Sequence, residues 1–153
     1  ESQGLIVTAR KLANASPRRP RQADLKRAIS TAYYALFHAM AKDAADMLVG
    51  VGPSRPDKAW THAYRSLQHG DAKNACEGVR KLGFPAAIIN CADVFVKLQQ
   101  NRHDADYDPD CRVLRADAMA AIELAENVII GLRDAPKKDR KAFAVHLLLK
   151  RRP

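Results

Sequence analysis

Length, composition and charge place this chain among small globular proteins. It has 153 residues, of which 47% are hydrophobic and 28% charged, the balance of one soluble domain spanning 1–153. No apolar run approaches the roughly 18 residues that a membrane helix needs. Cys76, Cys91 and Cys111 are odd in number and widely spaced, which predicts neither a disulfide framework nor a metal site. We therefore expect a cytoplasmic protein without a membrane partner, in which the cysteines are packing residues.

The net charge of +9 is concentrated at the two ends of the chain. Residues 1–27 hold seven Arg and Lys against two acidic residues, and residues 137–153 hold seven against one. A basic arm is typical of proteins that bind a phosphate-bearing partner, but solvated termini that keep a protein soluble give the same pattern. The candidate phosphate-contacting side chains are Arg18, Arg19, Arg21, Lys137 and Lys138.

The first half of the chain shows apolar residues at helical spacing. The pattern predicts a short helix around 5–12, a proline-broken basic turn over 16–21, and a long helix from about Gln22 to Val49. A loop over 50–56 follows. No stretch alternates apolar and polar residues as a half-buried strand would, so the pattern favours an all-α fold.

Two shorter helices are predicted next, each with a capping aspartate. Asp57 is placed to cap a third helix that stops at Gly70. Asp71 is placed to cap a fourth, which stops at Leu82 before the sequence Gly83-Phe84-Pro85.

The remaining chain predicts three further helices. The fifth begins near Pro85 and ends at Asp108, because Pro109 disfavours the helical conformation of the residue before it. The sixth runs from about Cys111 to Leu132, and the last from about 136 to 150. That last segment holds an apolar octet between two basic clusters. It suits packing on the body, a dimer contact, nucleic-acid binding or a membrane surface.

Chemistry is densest at the end of the fifth predicted helix, from Asn101 to Asp108. Arg102 and Asp106 are four residues apart and lie on one helix face, and His103 and Tyr107 form a second such pair. Arg102 also continues the apolar stripe of its helix. A guanidinium on the inward side is costly unless an anion meets it, and that anion is Asp106, another carboxylate or a phosphate. A helix end joined by a weak Arg102–Asp106 ion pair explains the same spacing.

A second polar stripe lies on the long helix. Ser30, Tyr34 and His38 follow one another at four-residue intervals beside the apolar face. They are placed to reach a neighbouring helix, or they are boundary residues whose polar tips are satisfied locally.

Two segments resemble the HEPN domain family. Ala28-Ile29-Ser30-Thr31-Ala32-Tyr33-Tyr34-Ala35-Leu36-Phe37-His38-Ala39 is similar to the first long helix of HEPN domains. Arg102-His103-Asp104-Ala105-Asp106-Tyr107 is similar to the Arg-x-x-Ala-Asp-Tyr signature of one uncharacterised bacterial branch. The order and separation of the two motifs match that branch, and the resemblance covers roughly residues 20–133.

The resemblance implies a fold, a partner and an activity. HEPN domains are antiparallel helical bundles, here with extra short helices, and they usually form homodimers. In the nuclease members an arginine and a histidine from each copy meet at the dimer interface and cleave RNA without a metal or other cofactor. The implied function is a metal-independent endoribonuclease of a toxin–antitoxin or phage-defence system, with RNA as partner and with the basic ends attracting RNA.

The family motif also implies roles for individual residues. Arg102 binds the phosphate, Tyr107 orients it and Asp106 holds Arg102. His103 or His38 carries the proton.

Tyr34 and Asn101 are supporting residues of that implied site. The sequence also departs from the nuclease pattern after Arg102. A histidine four to six residues after Arg102 is missing, since positions 107–109 hold Tyr, Asp and Pro. This departure favours an alternative, a non-catalytic HEPN module that pairs with a nucleotidyltransferase or an antitoxin-like partner.

Overall fold

The computed structural model describes residues 1–153 and contains seven α-helices and no strand. The predicted all-α fold is confirmed, and no helix has both the length and the apolar character that a bilayer crossing requires. The helices are α1 Ser2–Ala13, α2 Gln22–Val49, α3 Asp57–Ser66, α4 His69–Glu77, α5 Ala86–Tyr107, α6 Arg115–Asp134 and α7 Lys137–Leu148.

Helix α2 is the centre of the bundle. It is 28 residues long, and α1, α3, α5, α6 and α7 all pack against it. Buried residues occur around most of its circumference, which is the pattern of a helix enclosed by others rather than of one lying on a surface. Many of them are alanines, such as Ala28, Ala32 and Ala35, and their small side chains let the surrounding helices approach closely.

One contiguous core of 33 buried residues joins the helices. Tyr33 and Phe95 are fully buried at its middle, while Ile6 of α1 and Phe143 of α7 extend it beyond residues 20–133 on both sides. The apolar octet of the last segment therefore packs on the body through Phe143, Ala144 and Leu147, as one of the four alternatives predicted, while Val145 and Leu149 stay exposed. Arg140 also pairs with Asp43 of α2 and holds α7 in place.

The buried cysteines are packing residues, as expected. Cys76 and Cys91 are buried free thiols and Cys111 is half-buried. Burial raises the pKa of Cys91 to about 12 and raises that of Cys76 as well. Both thiols therefore stay protonated and unreactive at neutral pH.

The predicted boundary between the third and fourth helices is wrong. Helix α3 ends at Ser66 rather than Gly70, and Gly70 lies inside α4. The reason is Leu67, which leaves the helical conformation (φ −70°, ψ 123°) and buries its side chain, whereas α3 itself has no buried residue. Tertiary burial overrides the local glycine signal.

The two predicted aspartate caps are also wrong. Asp57 and Asp71 lie within the first turns of α3 and α4, and neither helix has a side-chain capping hydrogen bond. Asp57 instead accepts a hydrogen bond from Arg55 Nε at 3.3 Å. Both carboxylates still favour their helices electrostatically, because negative charge stabilises a helix N-terminus.

The fourth and sixth helices are shorter than predicted. Helix α4 ends at Glu77, and turns lead to Gly83, whose φ of +71° suits glycine. Helix α6 begins at Arg115 rather than Cys111, because Gln22 fixes the non-helical segment before it. The side-chain amide of Gln22 donates to the carbonyl oxygen of Val113 at 2.8 Å and accepts from the Val113 N–H at 3.0 Å.

Replacing Leu36 with alanine tests whether α2 is the structural centre. Leu36 is fully buried, so Leu36→Ala leaves a cavity and should lower the free energy of unfolding by about 2–5 kcal/mol. Val51→Ala, at a position 68% exposed, is the control and should change it by less than about 0.5 kcal/mol. Urea unfolding followed by circular dichroism measures both, and equal effects would contradict the assignment of the core.

Candidate functional site

Helices α2 and α5 run antiparallel and are joined by a row of polar contacts. Ser30 of α2 contacts Asp106 of α5, and Tyr34, one turn later, contacts Arg102, one turn earlier. The four-residue steps run in opposite directions because the helices are antiparallel. The polar stripe predicted on the long helix therefore reaches a neighbouring helix, and that neighbour carries the dense segment at 101–108.

Arg102 lies at the centre of this row. Its side chain is 20% exposed, and Nη2 donates a hydrogen bond of 3.0 Å to the hydroxyl of Tyr34. Its guanidinium carbon lies 5.5 Å from the ring centre of Tyr33 and 5.3 Å from that of Tyr34, which allows a cation–π attraction to both. Two aromatic rings thus hold the cation on the inward side of α5.

Asp106 is the anion that meets Arg102. Its Oδ2 lies 3.3 Å from Arg102 Nε, but Nε has no aligned hydrogen bond and is a buried unpaired donor. Asp106 Oδ1 accepts a hydrogen bond of 2.7 Å from Ser30 Oγ. The contact is therefore an ion pair without the bidentate geometry that makes arginine–carboxylate pairs strong.

His69, the first residue of α4, packs behind the two tyrosines. Its ring stacks on Phe37 at 4.0 Å between ring centres, and its Nδ1 lies 2.6 Å from the hydroxyl of Tyr33. The amide of Gln99 donates to the carbonyl oxygen of His69 at 3.0 Å. Two helices and one backbone contact therefore fix the position of this imidazole.

The charge states of His69 and Tyr33 follow from burial. Burial lowers the pKa of His69 below its ordinary value, and the positive charges of Arg102 and His38 lower it further. Burial raises the pKa of Tyr33 to about 12. The neutral Tyr33 hydroxyl can donate to Nδ1 or accept from Nδ1–H, and the second arrangement leaves Nε2 unprotonated.

His38 extends the cluster towards α3. Its Nδ1 lies 2.6 Å from the hydroxyl of Tyr64, and its ring centre is 6.4 Å from that of Tyr34. Tyr64 stacks on Trp60, whose indole N–H donates to the buried carboxylate of Asp46 at 2.8 Å. The contact with His38 therefore docks α3 on α2.

A polar groove of about 740 Å³ opens beside Arg102. It lies between α4 and α5, and basic side chains outnumber acidic ones along it. Its lining includes Lys73, Lys97 and Arg102, with Glu77 as the one carboxylate. Such a groove suits an anionic ligand.

The structure brings four of the predicted site residues together: Arg102, Tyr34, Asp106 and His38. His103 is exposed on the rim of the groove, with its ring centre 5.0 Å from that of Tyr107. Tyr107 is 64% exposed at the end of α5 and does not contact the cluster. Asn101 lines the groove and also a cavity of about 270 Å³ on the other side of α5.

Sequence reasoning missed His69. Nothing in the spacing of the chain connects it with Arg102, because both residues reach the rings of Tyr33 and Tyr34 only through the packing of α4 and α5 in the bundle. The local sequence even suggested a helix boundary one residue later, at Gly70.

The basic ends present unpaired cations. Arg18, Arg19 and Arg21 are exposed in the turn after α1, and Lys137 and Lys138 are exposed in the first turn of α7. None of these five side chains forms an ion pair. The turn itself is fixed, because Arg115 donates to the carbonyl oxygen of Ser16 at 3.0 Å.

Comparison with known proteins does not assign the chain to a family. No protein-family description, curated protein or solved structure matches it. Within the structure, no group of three or more His, Cys, Asp or Glu side chains is arranged to hold a metal ion.

The lowered pKa of His69 predicts how stability depends on pH. The unfolded chain takes up a proton near pH 6.5, the ordinary value, whereas folded His69 stays neutral to lower pH. This contribution to the free energy of unfolding is complete above pH 6.5 and is lost as pH falls through the folded pKa. Denaturant unfolding between pH 7.5 and roughly pH 5 should show a smaller loss in His69→Asn than in the wild type.

The control for this measurement is the exposed His62 of α3. His62→Asn should keep the wild-type pH dependence, because an exposed imidazole has similar surroundings in both states. Identical slopes in the wild type and His69→Asn would show that His69 is not held neutral.

Proposed function

We propose that this chain is a HEPN-type RNA-binding protein that acts, as a homodimer, as a metal-independent endoribonuclease of a toxin–antitoxin or phage-defence system. The proposal rests on the two motif resemblances and on the surroundings of Arg102. RNA is the ligand, and Arg102 is the residue that contacts its phosphate.

The observation that carries the proposal is the incomplete pairing of Arg102. A guanidinium has five N–H donors, and within the chain only one hydrogen bond, to Tyr34, is formed. Nε faces Asp106 without an aligned hydrogen bond. An arginine held inward with unused donors beside a basic groove is suited to bind phosphate oxygens, which accept such bonds in bidentate geometry.

The chemistry that this arrangement supports is attack of a ribose 2′-hydroxyl on the adjacent phosphorus. Arginine stabilises the charge that develops on the phosphorane, and an imidazole moves the proton. The rings of His38 and His69 both lie next to the ring of Tyr34, and the guanidinium of Arg102 lies over that same ring. Sequence-independent attraction of RNA comes from the unpaired cations of the two ends.

The exposed end of α5 supports the proposed dimer. Tyr107 is exposed there, and Leu114, at the start of α6, is 67% exposed. Large apolar groups flanking one short segment, 108–113, suit contact with a second copy. In that arrangement Tyr107 lies at the boundary between copies, where the resemblance places the site.

The alternative function is a non-catalytic module that binds a nucleotidyltransferase or an antitoxin-like partner. Its supporting observation is Asp106, which already offsets the charge of Arg102 and is itself held by Ser30. In this view the row between α2 and α5 is a structural clamp, and the exposed His103–Tyr107 pair belongs to a protein interface.

Replacing Arg102 tests the proposed phosphate contact. Arg102→Ala should weaken binding of single-stranded RNA by about tenfold to a hundredfold and should lower the slope of log affinity against log salt by about one. The matched control is Arg65→Ala, an exposed arginine on α3, which should change affinity by less than about threefold. Fluorescence anisotropy at several salt concentrations measures both quantities.

RNA binding that is equally strong in wild type and Arg102→Ala would contradict the proposal that Arg102 contacts a phosphate of the RNA. Wild-type protein that neither binds nor cleaves RNA, but forms a stable complex with a second protein, would support the alternative module.

The dimer is tested by mass in solution. Light scattering coupled to gel filtration should give twice the 16.9 kDa chain mass. Tyr107→Asp should shift the protein towards the monomer, because an interface buries this side chain and a charge there is costly. Leu149→Asp, an exposed apolar position in the segment after α7, should leave the dimer intact. A monomeric wild type at micromolar concentration would contradict the dimer.

A further inference from the structure

We infer that His69 is the residue that accepts the ribose proton when RNA is cleaved at Arg102, with Tyr33 as its positioning residue and with the groove between α4 and α5 holding the RNA that flanks the cleaved bond. This inference rests on the proposed function. It assigns the proton transfer to a residue outside both sequence motifs.

The imidazole of His69 is fixed at one nitrogen and available at the other. Stacking on Phe37 sets the plane of the ring, and Tyr33 occupies Nδ1 at 2.6 Å. Nε2 makes no hydrogen bond within the chain, yet it is not among the buried unpaired atoms, which are Gln99 Oε1 and Arg102 Nε. Nε2 therefore reaches solvent, as a proton carrier must.

His69 and Arg102 flank the same aromatic ring. The ring centre of His69 lies 6.0 Å from that of Tyr34, nearly perpendicular to it, and the guanidinium carbon of Arg102 lies 5.3 Å from the same centre. Gln99, one turn before Arg102 on α5, ties the backbone of His69 to that helix. A phosphodiester bound by Arg102 thus has an imidazole on the neighbouring helix.

The groove beside Arg102 runs along α4, and His69 is not among the residues that line it. Lys73, one helical turn after His69, lines the groove together with Lys97, and its Nζ lies 3.9 Å from the carboxylate of Glu77. Lys73 and Lys97 are placed to contact phosphates next to the scissile one. Contacts of this kind position the strand without reading its sequence.

His69 fits the role better than the other two candidates. The ring of His69 lies next to both rings that face Arg102, 5.6 Å from Tyr33 and 6.0 Å from Tyr34. Of these two rings His38 pairs only with Tyr34, at 6.4 Å. His103 is exposed and packs only against Tyr107. His69 is also neutral at pH 7, because burial and the charges of Arg102 and His38 lower its pKa, and a base must be unprotonated to act.

The reaction step is a transesterification. The 2′-oxygen forms a bond to phosphorus while its proton passes to Nε2 of His69, and the bond from phosphorus to the 5′-oxygen breaks. The departing 5′-oxygen takes a proton from water, and the imidazolium then gives its proton to the hydroxide that is left. The products are a 2′,3′-cyclic phosphate and a 5′-hydroxyl end. In the tautomer that acts, the Tyr33 hydroxyl accepts from Nδ1–H and leaves Nε2 free to take the proton.

Single-turnover cleavage of a labelled single-stranded RNA tests the inference in the full chain. The side-chain amide of His69→Asn can still meet Tyr33 in place of Nδ1, but it lacks Nε2. The cleavage rate should fall by about 10²–10⁴-fold. Affinity for an uncleavable 2′-O-methyl RNA should change by less than about threefold, and His62→Asn should behave as wild type in both measurements.

A second measurement uses the wild-type protein and so does not depend on the folding of a variant. The acidic limb of the wild-type pH–rate profile should follow the titration of His69 observed by NMR. Tyr33→Phe should move that limb to lower pH, because it removes the hydroxyl that accepts from Nδ1–H and so favours the protonated ring.

The outcomes separate the two proposals. Cleavage that survives His69→Asn, or a pH limb that does not follow His69, overturns the role of His69 and leaves the RNA-cleaving function standing. Wild-type protein that binds 2′-O-methyl RNA but cleaves no RNA overturns the role of His69 and the enzyme together. Loss of cleavage with retained binding in His69→Asn alone supports the inference.

Discussion

The position of the Arg102 guanidinium is the constraint on which the site depends. Placing a permanent cation on the inward face of α5 is costly unless other groups meet it, and α2 supplies the means. Tyr34 accepts a hydrogen bond, the rings of Tyr33 and Tyr34 face the charge, and Ser30 orients Asp106 towards it. The same contacts set the register of α2 against α5. Fold and site are therefore not separable here, because the row of residues that holds the cation also joins the two central helices.

That row leaves the arginine only partly satisfied. A buried donor without a partner costs about 1–3 kcal/mol, and both buried unpaired atoms of the chain, Arg102 Nε and Gln99 Oε1, lie within one turn of α5. Both residues line the basic groove, so a ligand bound there can supply the missing partners. A phosphate would complete the pairing of Arg102, and this is the physical basis for proposing RNA as the ligand.

Much of this arrangement could be predicted from local sequence. The period of apolar residues gives α2 its bounds, Pro109 ends α5, and four-residue spacing pairs Arg102 with Asp106. The errors arise where tertiary contacts override local signals. Leu67 ends α3 early because its side chain enters the core, and Gln22 holds residues before α6 out of the helix. His69 was missed for a related reason. Its stacking on Phe37 joins α4 to α2, and no repeat of apolar residues in the sequence indicates which residues of two distant helices will touch.

The measurement that tests the central claim most directly is a crystal structure of the protein with bound 2′-O-methyl RNA. We expect a phosphate with its oxygens within hydrogen-bond distance of the Arg102 guanidinium, about 3 Å, and the adjacent ribose facing Nε2 of His69. An RNA bound only by the basic ends, with Arg102 still enclosed by Tyr34 and Asp106, would contradict it. In that case the polar row between α2 and α5 would be a structural clamp alone.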